Sequence, residues 1–225
     1  MVPSLTLYHS PQACSMVVNS LLGDLGLPYK LVNMRMGANG FESADGTVNH
    51  EQYLKIHHLG YVPCLLVDGV SITEMPAILT YIANLVPEKR LLGDNLIEQS
   101  LVLGWAAWLS GSLHGRGFGA LFRPARFTNN ESHYSEIKAK GLSYVKECYN
   151  LIDKRLKGRD FPVGNHETIV DFNLIVFYFW GLEQNIDMAQ AYPEYDKLFA
   201  RMSKKAAVSK IDKFSRTALV FVPDE

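Results

Sequence analysis

Cys14 is the residue best placed to do chemistry, because it stands in the run LYHSPQACSMVVNSLLGDLGLPYK, residues 7–30, where an alternating segment gives way to helical spacing. Leu5 and Leu7 alternate with Thr6 and Tyr8 as in a half-buried strand, and Pro11 interrupts the chain. Val17, Val18, Leu21, Leu22 and Leu25 then recur at helical intervals, which predicts that Cys14 sits in the first turn of a helix. Unpaired backbone N–H groups and the positive end of the helix dipole favour a thiolate there. The plainer alternative is a small packing residue at a strand–helix junction. Cys14, Cys64 and Cys148 cannot all pair and no two form a C-x-x-C, which points to a reducing compartment and away from a dithiol redox protein.

The elements that must position this thiol include a second segment, GYVPCLLVDGVSITEMPAILTYIANL, residues 60–85. It reads as a buried strand (Cys64–Val67), an Asp68-Gly69 turn, a second strand (Val70–Thr73) and a helix opening at Pro76. A trans proline immediately before a core strand is awkward because proline cannot donate to the ladder, so Val62–Pro63 is expected to be a cis bond in a turn. From about Leu96 the alternation disappears and helical periods remain: Leu96–Leu113, Glu131–Leu156, Asp171–Leu182 and Glu194–Lys205. DFNLIVFYFWGL is apolar nearly all round, so it belongs at the centre of a helical bundle. Thr168 and Asp171 have the spacing of a capping box at its start and are read as structural.

Bulk composition agrees with one or two compact domains: 225 residues, 48% hydrophobic, 20% charged and a formal net charge of −1. No basic stripe suggests nucleic-acid binding, MVPSLTLYHS lacks the pattern of a signal peptide, and Phe172–Leu182 is too short to span a bilayer. The histidines and acids show no metal-ligand spacing, with His57 and His58 adjacent and expected to point different ways, so no metal is expected.

Taken in order, SPQACS, GYVP, TEMPAILTYIA, VPEKRLL, LHGRGFGALFRP, TIVD and YPEYDKLFARMSKKAAV resemble the cytosolic glutathione S-transferases, most nearly their bacterial-type beta class. The resemblance implies an α/β plus all-α architecture: a thioredoxin-like domain, βαβαββα, over residues 1–86, a linker at 87–95, and an all-α domain over 96–225. It further implies glutathione as co-substrate, a homodimer, no nucleic-acid or membrane partner, and a cytoplasmic enzyme. Transfer of glutathione to small apolar electrophiles is the leading activity. A glutathione-dependent thiol–disulfide oxidoreductase acting through Cys14, a specialised isomerase or lyase of a biosynthetic pathway, and a binding module without catalysis are the alternatives. The maleylacetoacetate isomerase branch is disfavoured, because its S-S-C signature would need serines at Gln12 and Ala13.

Carried onto this sequence, the family pattern makes Cys14, Ser15 and Tyr8 alternative partners of the glutathione sulfur. The backbone beside Val62 and Pro63 would pair with the cysteinyl main chain, Glu74 would meet the γ-glutamyl ammonium, and the N–H of Met75 would receive its carboxylate. His114 matches a histidine near the ligand. GRGF carries one residue more than the family spacing, which leaves Arg116 as the basic counterpart, and Trp108, Phe118 and Phe122 as the apolar wall. Met75 replaces a usual serine or glycine, His57-His58 an Asn-Pro, Asn39 a lysine and Ala107 an asparagine. Arg35, Lys55 or either histidine is therefore a candidate for holding the glycyl carboxylate.

Overall fold

The computed structural model describes residues 3–208, and the chain divides into two compact units. The first comprises residues up to Lys89 together with the described residues from Ala200 onward. Its strands are β1 (Leu5–His9), β2 (Lys30–Gly37), β3 (Gly40–Ser43), β4 (Cys64–Val67) and β5 (Val70–Ile72), and its helices are α1 (Met16–Asp24), α2 (His50–Leu54) and α3 (Met75–Leu85). The strands form one sheet in the order β3-β2-β1-β4-β5, with β1 and β2 parallel and the other neighbours antiparallel.

This is the thioredoxin-like pattern with one addition. β3 extends the sheet beyond β2 as an antiparallel edge, in register Met34 with Ser43 and Met36 with Phe41. Gly37 pairs with Gly40, so the hairpin closes through the two residues Ala38 and Asn39. At the opposite side, Asp68 and Gly69 both adopt positive φ, 47° and 87°, as a two-residue primed turn requires. The Val62–Pro63 bond is cis, as the sequence predicts.

The start of α1 differs from expectation. The helix begins at Met16, and Cys14 lies in the turn before it, where Met16 N donates to Ala13 O at 3.0 Å and Val17 N to Cys14 O at 3.1 Å. Pro11 and the positive φ of Gln12 (64°) delay helix entry by forming a separate tight turn first.

The second unit, Arg90–Phe199, is helical among the described residues. It contains α4 (Leu96–Trp108), a π-helical segment (Leu109–Phe118), α5 (Gly119–Phe122), α6 (Tyr134–Leu156), α7 (Ile169–Glu183), α8 (Met188–Ala191) and most of α9 (Pro193–Met202). Every residue of α7 from Ile169 to Gly181 is buried. Its start is closed by the capping box, with Thr168 N donating to Asp171 Oδ2 at 2.9 Å and Val170 N donating to Thr168 Oγ1 at 3.3 Å. Both side chains are 0% exposed, so water cannot substitute for either bond.

Thr168→Val should therefore destabilise the fold by about 1–3 kcal/mol, a fall in Tm of roughly 3–10 °C for a chain of this size. Thermal unfolding followed by circular dichroism measures it; an unchanged Tm contradicts the capping role.

Candidate active site

In the first unit, β1 and β4 pair with Tyr8 opposite Cys64 and Leu7 opposite Leu65, which brings the turn after β1 against the turn before β4. The Cys14 thiol donates to the carbonyl of Val62 over 3.6 Å. Both residues are 9% exposed, so the sulfur sits at the lip of the packed interior. The unpaired amides of α1 begin beyond Cys14, so the helix dipole acts on this thiol from farther away than the sequence suggests.

Ser15 is committed elsewhere. Its hydroxyl is 0% exposed, accepts from Ser10 N at 3.0 Å, donates to Ser10 O at 3.1 Å and lies 2.9 Å from His9 Nδ1. These bonds brace the end of β1 against the start of α1 and leave no room for a further ligand at that oxygen. Burial holds His9 itself well below an ordinary histidine, at a pKa of about 4.

Tyr8 packs in a cluster with Met34, Phe41, Tyr53, Val62 and Cys64, against which Ala13 of the Cys14 turn also packs. Burial first, and then the neighbouring Cys64, raises its phenol pKa, so it remains a proton donor at neutral pH. Glu74 opens α3 with φ 67° and ψ 126°, a backbone conformation unusual for a residue with a side chain. Its side chain makes no cap and is exposed, whereas Met75 beside it is buried. Strain of this kind persists where surrounding structure enforces it and is typical of ligand-contacting turns.

His57 and His58 do not diverge: their rings stack at 5.4 Å and 20°, with His57 continuing toward the rings of Tyr53 and Tyr61. His57 Nδ1 accepts from Leu59 N at 3.1 Å, which leaves the proton on Nε2. Burial and then His58 lower its pKa, while Glu74 acts in the opposite direction, so Glu74 lies within electrostatic range of this imidazole. Sequence reasoning noticed the replacement at this position but not this neighbour. Arg35, a candidate for a carboxylate, instead pairs with Glu42 at 2.9 Å.

In the second unit, the additional residue of GRGF is absorbed by the π-helical segment. Gly119 N reaches His114 O, a five-residue step in place of the usual four. His114 packs against Trp180 at 5.2 Å and Phe177 at 6.1 Å. Burial, followed by the positive charges of Arg123 and Arg126, lowers its pKa to about 4, so the ring is neutral in the physiological range. Those two arginines, and not Arg116, are the cations that act on it; Arg116 turns its guanidinium onto the ring of Tyr144, 4.4 Å away.

Phe118 is 0% exposed, enclosed by Phe122, Tyr149, Phe177 and Trp180, and therefore supports the aromatic group from within. Phe122 is 45% exposed and forms its open rim. Trp108 belongs to another surface, edge-on to Trp105 and beside Leu101, Leu151 and Arg155. The family resemblance places it in the substrate wall with His114, but the structure sets the two on different surfaces.

Residues 3–84 match the family model described as the glutathione S-transferase N-terminal domain, and residues 118–206 match that of the C-terminal domain. The chain is 27% identical over 203 residues to glutathione S-transferase GST-4.5 of Xanthomonas campestris pv. campestris, covering 90% of this chain and 94% of that protein. Among solved structures, a sphingomonad glutathione S-transferase complexed with glutathione shares 30% identity with a TM-score of 0.80, over 95% of this chain and all of the other. The bacterial beta-class enzyme of Sphingomonas chungbukensis shares 27% identity at the same TM-score, over 93% of this chain and 98% of its own.

His9 and His114 resist protonation when folded but titrate ordinarily, near about 6.5, when unfolded. Between about pH 6.5 and 4 the unfolded chain binds more protons, so each group lowers stability by roughly 1.4 kcal/mol per unit of acidification in that window. Urea unfolding at pH 7 and pH 5 should show the loss, and His114→Phe should reduce its slope; a pH-independent midpoint contradicts the assignment.

Proposed function

Because this chain belongs to the glutathione S-transferase family, we propose that it transfers glutathione to small apolar electrophiles, with Cys14 and Tyr8 beside the reacting sulfur. The supporting observation is the meeting of the Cys14 thiol with the Val62 carbonyl at the cis proline, 3.6 Å apart. An extended peptide laid along Val62 in the manner of an added strand would present its own sulfur to this corner. The Tyr8 phenol, kept protonated by burial, is then the donor that stabilises a glutathione thiolate. Ser15 is not, since its hydroxyl braces His9 and Ser10.

Glu74 supplies a carboxylate for the γ-glutamyl ammonium, and the amide of Met75 at the start of α3 faces the matching carboxylate. In the proposed division residues 1–86 hold glutathione, 87–95 connect and 96–225 supply the electrophile's wall, of which 209–225 lie outside the described residues and His114, Phe122 and Trp180 form an aromatic group. A neutral His114 suits an uncharged electrophile better than an imidazolium would. The three thiols fit a cytoplasmic, reducing setting.

A second reading rests on the same thiol. Attack of the Cys14 thiolate on a glutathionyl disulfide would form a Cys14–glutathione bond and release the other thiol; a second glutathione would then regenerate Cys14 and leave as glutathione disulfide. Calorimetry and two assays separate these readings. Glu74→Ala should weaken glutathione binding about ten- to hundredfold, the equivalent of a charge-assisted hydrogen bond. Cys14→Ser should reduce conjugation if transfer depends on the thiol, whereas loss of disulfide exchange with conjugation intact identifies the redox role. Equal glutathione affinity in wild type and Glu74→Ala overturns the proposed grip.

The exposed apolar residues of α4, Leu96 at 79%, Ile97 at 73%, Leu101 at 53% and Leu103 at 54%, support a homodimer in which this helix and α6 of one subunit meet the N-terminal domain of the other. Light scattering at micromolar concentration should give twice the single-chain mass; Leu101→Glu should shift it toward the monomer, and a monomeric wild type removes the proposal.

A further inference from the structure

A group of side chains unrelated to the proposed glutathione site lies where the chain enters α4. Asp94, Glu98 and His166 bring a donor atom each within 4.8 Å of one another, the cluster of this kind found among the described residues. All three belong to the second unit, and each is held in place by a separate device.

His166 is fixed through its ring. Nδ1 lies 3.1 Å from the carbonyl of Glu167, which can only accept, so the proton is on Nδ1 and the Nε2 lone pair is unprotonated in the neutral ring. Nε2 is buried and makes no hydrogen bond, although Asp94 Oδ1 lies only 3.1 Å away, because the direction between them is unsuited to one. Two acceptors this close repel unless a cation lies between them. An imidazole whose Nδ1–H is held by a carbonyl while Nε2 is left for a metal has the outer-shell arrangement of histidine metal ligands.

Glu98 is pinned by backbone. Its Oε2 accepts from Asp94 N at 2.7 Å, and its side chain runs between two glycines with positive φ, Gly93 at 96° and Gly164 at 64°. A Cβ at Gly93 would come 2.5 Å from Glu98 Cβ, and one at Gly164 would come 3.2 Å from Oε2. The chain is thus drawn tightly around the carboxylate. Asp94 is oriented by Arg90, whose Nη1 meets the Oδ1 oxygen at 3.0 Å and leaves Oδ2 without a partner among the described residues. The nearby His166 first, and then the Arg90 guanidinium, keep Asp94 ionised by lowering its pKa.

The geometry points to a surface site for one divalent cation of borderline character, such as Zn²⁺, Co²⁺ or Ni²⁺, held by His166 Nε2 and by carboxylate oxygens of Asp94 and Glu98, with water completing the shell. Donors 2.0–2.2 Å from such an ion stand roughly 3–4 Å apart, a small contraction of the spacing present. One nitrogen and two carboxylates favour these metals over Ca²⁺, which takes six or more oxygens. The ion would tie the linker at Asp94 to the loop two residues ahead of the Thr168 cap. Ile169 N already donates to Leu91 O at 3.0 Å there. The role is structural and makes no use of the thiol chemistry of Cys14.

Titration of the metal-free full-length protein with Co²⁺ at pH 7.5 should produce a visible absorption band that saturates at one equivalent and is abolished by EDTA. The wild-type Tm should rise with the ion. His166→Ala and Glu98→Gln, shown to be folded by circular dichroism, should each weaken Co²⁺ at least about tenfold. His133→Ala, on another surface segment, should leave it unchanged. No saturable binding by wild type, or binding equally strong in both ligand variants, overturns the site. A Tm that rises on acidification through the histidine range without any metal response also overturns it, by identifying the cluster as an imidazolium–carboxylate pair only.

Discussion

The antiparallel pairing of β1 with β4 is the constraint on which the first unit depends. With Leu7 opposite Leu65 and Tyr8 opposite Cys64, a slip of one residue would turn Leu5 and Leu7, now in the interior, to the opposite face and carry Tyr8 out of its cluster. The same register sets where the chain leaves β1 and where it enters β4, and so determines that the Cys14 turn faces the carbonyl of Val62. Ser15 supports that arrangement by satisfying the polar groups of Ser10 and His9 at a point where water has no access. A residue that sequence spacing offers as a reagent is thus consumed in holding its neighbour.

The second unit solves a different problem: α7 is buried on all sides and so cannot be oriented by an apolar stripe. Its direction is fixed by polar contacts made to specific backbone atoms. Tyr149 of α6 donates to the carbonyl of Phe177, and Tyr195 of α9 donates to that of Leu174. Each phenol is far more costly to bury without such a partner, so rotation of α7 is disfavoured by lost hydrogen bonds as well as by packing. The aromatic group of Phe118, Phe177 and Trp180 grows from this helix, and His114 rests on it.

Between α4 and α5 the π-helical step decides which side chains share a face. A regular helix would carry Trp108, His114 and Arg116 through their 100° increments, whereas five-residue bonding widens the turn. Trp108 remains with Trp105, His114 reaches Trp180, and Arg116 reaches Tyr144. Arg123 and Arg126, just beyond α5, supply the positive charge around the histidine.

Local chemistry was legible in the sequence wherever it depends on a few neighbouring residues. Asp68-Gly69 specified a primed turn, Val62–Pro63 a cis bond, Thr168 and Asp171 a cap, and the unbroken apolar run of α7 a central helix. The edge strand β3 was not anticipated, because a strand of four residues shows little alternation of its own and becomes evident only when paired with β2. The sequence also marked an additional residue near His114 without revealing how a helix would absorb it. What only the tertiary structure decided were relations between segments distant in sequence: the commitment of Ser15, the stacking of His57 on His58 beside Glu74, and the separation of Trp108 from His114. Hydrogen-bond partners, burial and electrostatic neighbours depend on three-dimensional distance, which periodicity along one chain does not encode.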